Sequence, residues 1–309
     1  MSTVLITGGT GMIGTRLTEM LVAKGYRVII LTRNPPTRNH PLTGVSYANW
    51  DIHKQTIDKE AIATADHIIH LAGAGVADKR WTKERKQEIV NSRTQSSAAI
   101  VKVLTEIPNQ VKTIASISAI GWYGPDTADS RTNGFTEEAK ADAAFLGETC
   151  RLWEESIEPV TQIGKRLVKL RTGIVLSKTG GALAEFKKPL KVFVAAVLGD
   201  GVQVISWIHV EDLCRMFIAA IEKETMNGVY NAVSPNPVSN EYLTFELARL
   251  MRGNIFIPIH VPAWFLKIAL GEMSIEVLKS ATVNSDKIQG TGFQFLYPTI
   301  EEALSNLFK

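Results

Sequence analysis

Short apolar runs alternate with amphipathic stretches along the first half of the chain. Residues 4–7 form a short apolar run. The next stretch, residues 11–24, spaces Ile13, Leu17 and Leu21 four positions apart, which places them on one face of a helix. This pattern predicts a strand followed directly by an amphipathic helix.

Further apolar runs in the first half have the length of strands and too few polar positions to alternate. Helical stretches near residues 82–106 and 143–164 separate some of these runs. Strands that are apolar on both faces, with helices between them, are typical of a parallel sheet covered on both sides. The chain is therefore predicted to be an α/β protein with a Rossmann-type doubly wound parallel sheet, whose further strands are residues 27–33, 67–73, 113–121 and 167–176.

The alternation loosens after about residue 177, where glycines and prolines become frequent. We expect residues 1–176 to form the dinucleotide-binding Rossmann domain and residues 177–309 to form mostly a smaller, mixed C-terminal substrate lobe. The stretch 205–233, with a predicted helix and a short strand, is expected to rejoin the sheet of the first domain.

Composition narrows the classes of partner. The 34 basic and 31 acidic residues leave a net charge of only +3, which argues against a nucleic-acid or membrane partner. The only cysteines, Cys150 and Cys214, have no metal-ligand spacing, and a reducing compartment is favoured. We expect a cytoplasmic protein with no bound metal and a small-molecule substrate. Substrate identity and oligomeric state are not predicted.

The most informative motif is TGGTGMIG, residues 7–14, between the first strand and the first helix. In this context Gly8 allows a sharp turn, Gly11 lets backbone N–H groups approach a pyrophosphate, and Gly14 allows close helix–strand packing. The helix N-terminus adds unpaired N–H donors. The motif predicts a dinucleotide site, and its loop contributes Gly8, Thr10, Gly11, Met12, Ile13 and Gly14.

The end of the second strand distinguishes NAD from NADP. An acidic residue there usually binds the ribose 2′-hydroxyl of NAD, but this chain has Thr32 and Arg33 instead. A guanidinium suits a 2′-phosphate, and the threonine adds a hydroxyl. NADP is therefore the predicted cofactor. The alternative is that Arg33 is simply an exposed cation at the end of a strand.

Several longer motifs occur together along the whole chain. They resemble the atypical short-chain dehydrogenase/reductase group of epimerase family proteins, the SDR39U1/YfcH-like group of the NAD-dependent epimerase/dehydratase superfamily. The motifs are LAG at 71–73, RWT at 80–82, SAIGWYG at 118–124, RTGIVL at 171–176, SWIHVEDL at 206–213, NPVSN at 236–240 and GFQF at 292–295.

The resemblance implies NADP(H) bound across the ends of the strands. Thr32 and Arg33 would hold the adenosine phosphate. Other implied cofactor residues lie after the next strand, on the following helix and beside the nicotinamide: Leu71, Ala72, Gly73, Glu88, Arg93 and Val175. From the residues alone, Glu88 and Arg93 are equally consistent with a solvated helix face.

The chain departs from the wider superfamily at the catalytic pair Tyr-x-x-x-Lys, because no tyrosine has lysine four residues later. Ser118 and Tyr123, at the end of the predicted strand 113–121, are the candidate catalytic residues. Ser118 would polarise a carbonyl and Tyr123 would donate a proton. The alternative is a strand-end hydroxyl and a packed aromatic. His209, in an apolar segment, is interpreted as a structural histidine rather than an acid or base.

Two functions follow from these residues. One is an NADP-dependent oxidoreductase or epimerase/dehydratase acting on a small polar substrate or a nucleotide sugar. The other is a non-catalytic NADP(H)-binding protein that regulates or binds a partner. The glycine motif supports both, the missing pair favours the second, and Ser118 and Tyr123 favour the first.

Overall fold

A computed structural model describes residues 1–36 and 40–308. The described residues contain fifteen strands. In chain order they are β1 (Thr3–Thr7), β2 (Arg27–Thr32), β3 (Val45–Asp51), β4 (Thr56–Ile57), β5 (His67–His70), β6 (Thr113–Ala119), β7 (Arg166–Thr172), β8 (Ile174–Ser177), β9 (Gly180–Gly181), β10 (Val194–Leu198), β11 (Val204–Ile205), β12 (Trp207–His209), β13 (Gly228–Ala232), β14 (Val238–Ser239) and β15 (Ile257–Val261).

Twelve α-helices connect and cover these strands in the described part of the chain. They are α1 (Met12–Ala23), α2 (Lys59–Thr64), α3 (Lys83–Glu106), α4 (Ala128–Asn133), α5 (Phe145–Ile157), α6 (Ala182–Leu190), α7 (Val210–Glu222), α8 (Asn240–Arg252), α9 (Ala263–Leu270), α10 (Ser274–Leu278), α11 (Asp286–Gly290) and α12 (Ile300–Phe308). Short 3-10 turns lie at Ile120–Trp122, Glu158–Thr161 and Gly271–Met273.

Polar side chains define where several helices begin. Asp58, Thr82 and Ser239 each accept a hydrogen bond from the backbone N–H three residues later, at the starts of α2, α3 and α8. Such caps satisfy N–H groups that have no partner within the helix. Helix α1 is different, because its N-cap residue is Gly11 and no side chain caps it.

Eight strands form the main sheet, in the order β13-β7-β6-β5-β1-β2-β3-β4. All neighbouring pairs are parallel except β3 with the short edge strand β4. The chain winds outward from β1 in one direction through β2 and β3, and in the other through β5, β6 and β7. The predicted doubly wound parallel sheet is confirmed.

Helices cover both faces of this sheet. Val4 and Ile6 face a core that includes α1 and α7, whereas Leu5 between them faces a core that includes α2, α3 and α5. Because successive side chains of a strand point to opposite faces and both faces are covered, the three central residues of β1, Val4, Leu5 and Ile6, are all apolar. This arrangement explains the unbroken apolar runs in the sequence.

The predicted strand over residues 167–176 is wrong in one respect, since the chain forms two strands there. β7 lies in the main sheet, and β8 pairs with β12 in a separate three-stranded sheet. The break is at Gly173, where a Cβ would lie 2.6 Å from the Ser206 carbonyl oxygen. Only glycine permits the backbone approach that lets the chain change sheets here.

The C-terminal lobe has a core of its own, formed chiefly by α6, α8, α12 and the small sheets. Along the chain, α7 and β13 lie between α6 and α8, but they pack on the main sheet. β13 pairs in parallel with β7 at the edge of that sheet, and α7 packs on the same face as α1. In the described residues, no helix combines the length and apolar character needed to cross a membrane.

Candidate functional site

A large cleft lies at the carboxyl ends of β1 and β5, where the direction of winding reverses. Ligands of open α/β sheets bind at this position. The cleft has a volume of about 1090 Å³. The glycine turn, the end of β2, the segment after β5 and one face of α3 line it: Gly8, Thr10, Gly11, Thr32, Arg33, Leu71, Ala72, Gly73, Glu88, Ser92 and Ser96 are among its residues.

Close backbone packing shapes the glycine turn between β1 and α1. Gly8 has φ of +70°, and a Cβ there would lie 3.0 Å from the Leu71 carbonyl. A Cβ on Gly14 would lie 2.3 Å from the Gly8 carbonyl oxygen. Side chains at either position would push the turn away from β5 or the helix away from the turn. These two glycines therefore set the shape of the cleft floor.

Gly11 differs from these two, because a Cβ built on it would meet only the Gly8 carbonyl oxygen, at 3.3 Å. The space beside it is open cleft. No acidic residue lies in the first turn of α1 and no side chain caps it, so the N–H groups of that turn have no protein carboxylate nearby on the helix. An open glycine beside uncapped helix donors is the geometry that accepts a pyrophosphate.

A buried hydrogen-bonded layer holds the two strand ends together beneath the cleft. The Thr7 hydroxyl accepts hydrogen bonds from the backbone N–H groups of Leu71 and Ala72, both at 3.1 Å. It lies 2.7 Å from His70 Nδ1. The hydroxyl proton therefore goes to Nδ1, and Nε2–H of His70 faces the Ser97 hydroxyl at 3.3 Å.

Burial keeps this histidine neutral. It lowers the pKa of His70 from 6.5 to about 3. A neutral ring with a fixed tautomer can accept from Thr7 at all physiological pH values. His70 and Thr7 thus position the backbone of residues 71–72, which the sequence assigns to the cofactor.

The end of β2 carries the residues predicted to recognise a 2′-phosphate. Thr32 and Arg33 line the cleft, and Arg33 is exposed. A second pocket of about 520 Å³ adjoins the first and is also lined by Arg33, with His53 and Lys54. The carboxylates of Asp51 and Asp58 also line this second pocket, and Lys54 pairs with Asp51 at 3.8 Å, which leaves Arg33 as the cation at the end of β2. Among the described residues, no carboxylate forms an ion pair with Arg33.

Two predicted cofactor residues on α3 have different environments. Glu88 is exposed, lines the cleft and accepts a hydrogen bond of 2.7 Å from Arg85. Arg93 is buried and donates to the carbonyls of Ala74 and Ile89, each at 3.0 Å. Its guanidinium also packs against Gly73. Arg93 therefore lies behind the segment that lines the cleft and fixes it in place.

Met12, Ile13 and Val175, like Gly14, also lie outside the lining of the cleft. The Met12 side chain contacts Gly181, where a Cβ would lie 3.3 Å from its sulfur and 3.4 Å from the Val175 carbonyl oxygen. Met12 and Val175 thus meet at the hairpin of β8 and β9. Ile13 packs on the core beneath α1. Cofactor contacts for these three residues stay a prediction.

The candidate catalytic serine is buried and already hydrogen-bonded. The Ser118 hydroxyl donates to Glu154 Oε1 at 2.7 Å, and only 2% of the residue is exposed. Glu154 also accepts two hydrogen bonds from Arg171, at 2.8 and 3.1 Å. Ser118 therefore gives the Glu154 carboxylate a third hydrogen bond, beside the two from Arg171 in this buried ion pair.

Tyr123 is part of the same closed network. Its hydroxyl donates to Asn231 Oδ1 at 2.6 Å and accepts from Arg171 at 3.2 Å, and the ring stacks on Phe135. Burial raises the pKa of Tyr123 to about 12, although Arg171 opposes the shift. The hydroxyl does not line the cleft among the described residues. Catalytic roles for Ser118 and Tyr123 stay predictions, and this burial is what the alternative interpretation expects.

The start of α5 has one aromatic neighbour and one cationic neighbour. Phe145 packs edge-on against Trp81, with ring centroids 4.9 Å apart. Lys86 of α3 lies over the Phe145 ring at 5.0 Å and forms an ion pair with Glu272. Because Lys86 comes from another helix, no local spacing in the sequence reveals this arrangement.

His209 has the structural role that the sequence indicates. It is buried, and its Nδ1 accepts a hydrogen bond of 3.1 Å from the Glu211 N–H, so it caps the start of α7. Burial lowers the pKa of His209, which keeps the ring neutral. Nothing in this position relates it to the cleft.

The sequence pattern does not predict that β3 and the residues directly after it contribute to the cleft. Trp50, Ile52 and His53 line it, beside Arg33. Of β3, only Trp50 is buried, so the strand has neither an apolar run nor a regular alternation. The one available signal was the aromatic residue itself.

These features define a class of protein. It has a Rossmann fold and an open cleft at the position where the winding of its parallel sheet reverses direction. The family model described as the NAD dependent epimerase/dehydratase family matches residues 4–143. A second model, a domain of unknown function (DUF1731), matches residues 261–307.

Full-length relatives make the assignment specific. An epimerase family protein of Staphylococcus saprophyticus is 37% identical over 306 residues, covering 98% of each chain. The structure of the human epimerase family protein SDR39U1 with NADPH superposes with a TM-score of 0.86 at 25% identity, covering 99% of each chain. A nucleoside-diphosphate sugar epimerase of Corynebacterium glutamicum gives 0.77 at 30% identity, over 99% of this chain and 58% of that one. The chain belongs to the epimerase family, and the predicted resemblance is confirmed.

Proposed function

We propose that this chain binds NADP(H) in the cleft and acts as an oxidoreductase or epimerase/dehydratase on a small polar substrate or a nucleotide sugar. The observation that carries the proposal is the cleft itself. It joins an open glycine turn at a helix N-terminus to a basic strand end. The NADPH in the human relative's structure supports the same cofactor.

The cleft residues fit the parts of this cofactor. The turn around Gly11 and the first N–H groups of α1 would hold the pyrophosphate. Thr32 and Arg33 would bind the 2′-phosphate, and Leu71 with Ala72, held by Thr7, would line the middle of the molecule. When bound, the cofactor supplies a nicotinamide that donates or accepts hydride.

A second candidate function is NADP(H) binding without catalysis. It is favoured by the engagement of Ser118 with Glu154 and of Tyr123 with Asn231, which leaves neither hydroxyl free in the cleft. With a pKa raised to about 12, Tyr123 is protonated at neutral pH and is a poor base. Under the first function, the proton must then come from another cleft group or from the substrate.

Titration with cofactor tests NADP(H) binding, which both functions share. NADPH should bind at least about tenfold more tightly than NADH, because one charge-assisted hydrogen bond contributes roughly 1.5–3 kcal/mol. Arg33→Ala should remove most of that preference. Arg27→Ala is the matched control, since this exposed arginine lies at the other end of the same strand. Equal affinities for both cofactors in the unmutated protein would overturn the NADP assignment.

Turnover distinguishes the two functions. Purified protein loaded with NADPH should oxidise it in the presence of one member of a panel of carbonyl compounds and nucleotide sugars. Tight NADPH binding without turnover across a broad panel would favour the non-catalytic function.

A further inference from the structure

The small parallel sheet of β10 and β15 presents an apolar face to solvent. Ile257 and Ile259 pair with Val194 and Ala196, so all four side chains lie on the same face. Ile257 is 63% exposed and Ile259 is 45% exposed. A strand at the surface normally turns its polar residues outward. Here the isoleucines face outward.

Helix α9 follows β15 directly and adds further exposed apolar side chains. Of its eight residues, only Leu266 is buried. Trp264, Phe265 and Ile268 are 64%, 50% and 65% exposed. A helix that is apolar on nearly all sides is normally buried against other protein. Helix α9 has no such cover in the described chain.

We propose that this surface, formed by Ile255, Ile257, Ile259, Trp264, Phe265, Ile268 and Ile275, is the interface of a homodimer. The full areas of such side chains and their exposed fractions leave on the order of 800 Å² of apolar area per chain. A stable dimer of standard size buries about 800 Å² of each partner. Large apolar patches on a single chain commonly mark interaction sites, and these seven side chains all lie within residues 255–275.

The composition of residues 255–270 indicates that another protein chain, rather than a membrane, covers this surface. Between residues 255 and 270, the only ionisable side chains are His260 and Lys267. Interface cores are depleted of charge in this way. Helices that lie on a membrane surface instead carry a face rich in Lys and Arg. A single lysine on α9 does not provide one.

The free edge of β15 disfavours association by strand addition. The Ile257 N–H donates to the Phe193 carbonyl and the Val261 carbonyl accepts from the Gly199 N–H, so alternate residues direct their backbone toward β10. Pro258 therefore directs its backbone to the free edge, where it offers no N–H. Edge-to-edge strand addition is disfavoured, and contact must be made by side chains. When the same surface of two copies meets about a two-fold axis, the contact closes after two copies, as the proposed homodimer requires.

Sedimentation of the full chain at micromolar concentration tests the proposal. The unmutated protein should have twice the mass of one chain. The double variant Trp264→Glu with Ile268→Glu should be monomeric, its dissociation constant raised at least about 100-fold, because four carboxylates would be buried. Leu296→Glu is the matched control, since Leu296 is also exposed (54%) but lies outside this surface. It should remain dimeric.

Unfolding midpoints check that the double variant folds. A monomeric unmutated protein, or a dimer that persists in the folded double variant, would overturn the proposal. So would binding of the unmutated protein to lipid vesicles as a monomer.

A chemical crosslink gives an independent readout. Cys150 and Cys214 are both buried, so a thiol placed at Trp264 or Ile268 is the accessible one. A bis-maleimide should link two copies of Ile268→Cys or Trp264→Cys, and should link Leu296→Cys poorly. Equal crosslinking at all three positions would count against an interface on α9.

Discussion

Two parts of the same sheet edge have opposite character. At the ends of β1, β2 and β5 the backbone is exposed, glycines leave space, and the cleft is open. At the ends of β6, β7 and β13 the polar side chains Ser118, Tyr123, Arg171 and Asn231 are all buried and hydrogen-bonded to one another or to Glu154. The first part has backbone donors with no partner on a side chain, whereas the polar side chains of the second part are hydrogen-bonded within the protein.

The difference shows that a residue's type and strand position do not make it available for chemistry. Ser118 lies at a strand end, where catalytic residues of such folds are found, but its hydroxyl satisfies a buried carboxylate. The glycine turn, in contrast, leaves its donors uncapped. Unmet hydrogen-bonding capacity distinguishes the open part from the closed part.

The largest effect should come from breaking the closed part. Glu154→Ala would leave Arg171 buried without its carboxylate, which costs about 3–5 kcal/mol of unfolding free energy. Glu155→Ala is the matched control, because this neighbour on the same helix is exposed and pairs with Arg151. Urea unfolding of both variants measures the difference. Equal small effects would show that the Glu154–Arg171 pair does not stabilise the fold.

A substitution in the open part should change the affinity for NADPH rather than the free energy of unfolding. Gly11→Val should weaken NADPH binding at least about 100-fold, or about 2.7 kcal/mol, because the side chain would occupy the space beside the helix N-terminus. The fold should survive, since a Cβ at Gly11 meets only one atom. Gly290→Val controls for the substitution itself, as nothing lies near that glycine. Unchanged affinity in Gly11→Val would mean that the turn does not hold the phosphates.

Much of the open part can be predicted from the sequence, whereas the closed part cannot. The turn at residues 7–14 is encoded locally, because glycine spacing specifies backbone geometry. Tyr123 and its partner Asn231 are 108 residues apart, and no local pattern joins them. Strand β3, next to the short edge strand β4, was missed because only one of its side chains is buried and its apolar residues neither form a run nor alternate regularly.

The layer beneath the cleft should make stability depend on pH. The pKa of His70 falls from 6.5 in the unfolded chain to about 3 in the folded protein. The unfolded state therefore binds the proton first as pH falls, and stability is lost progressively below pH 6.5. Between pH 7.5 and pH 5 this one group should lower the unfolding free energy by about 2 kcal/mol.

His70→Gln should remove that contribution, so its stability should fall less steeply over the same interval. The lowered pKa values of His67 and His209 leave a residual slope of the same sign in both proteins. Identical slopes for the variant and the unmutated protein would show that His70 is not held neutral by the fold.

The smallest expected effect distinguishes a structural from a catalytic Tyr123. Tyr123→Phe keeps the ring stacked on Phe135 but removes the hydroxyl that joins Asn231 and Arg171. Two buried groups then lose a partner, and unfolding free energy should fall by about 1–2 kcal/mol. Tyr242→Phe, at an exposed tyrosine, is the control for the substitution and should change little.

NADPH titration and turnover of Tyr123→Phe complete the comparison, because the hydroxyl lies outside the cleft lining. Affinity should be unchanged, since Tyr123 belongs to neither the glycine turn nor the Arg33 end. If the hydroxyl is purely structural, any turnover per folded molecule is also retained, and Ser118→Ala behaves in the same way. Loss of turnover in a folded variant that still binds NADPH would instead require the network to open during the reaction, bringing Tyr123 to the substrate. That result would make Arg171 and Glu154 the groups that control its opening.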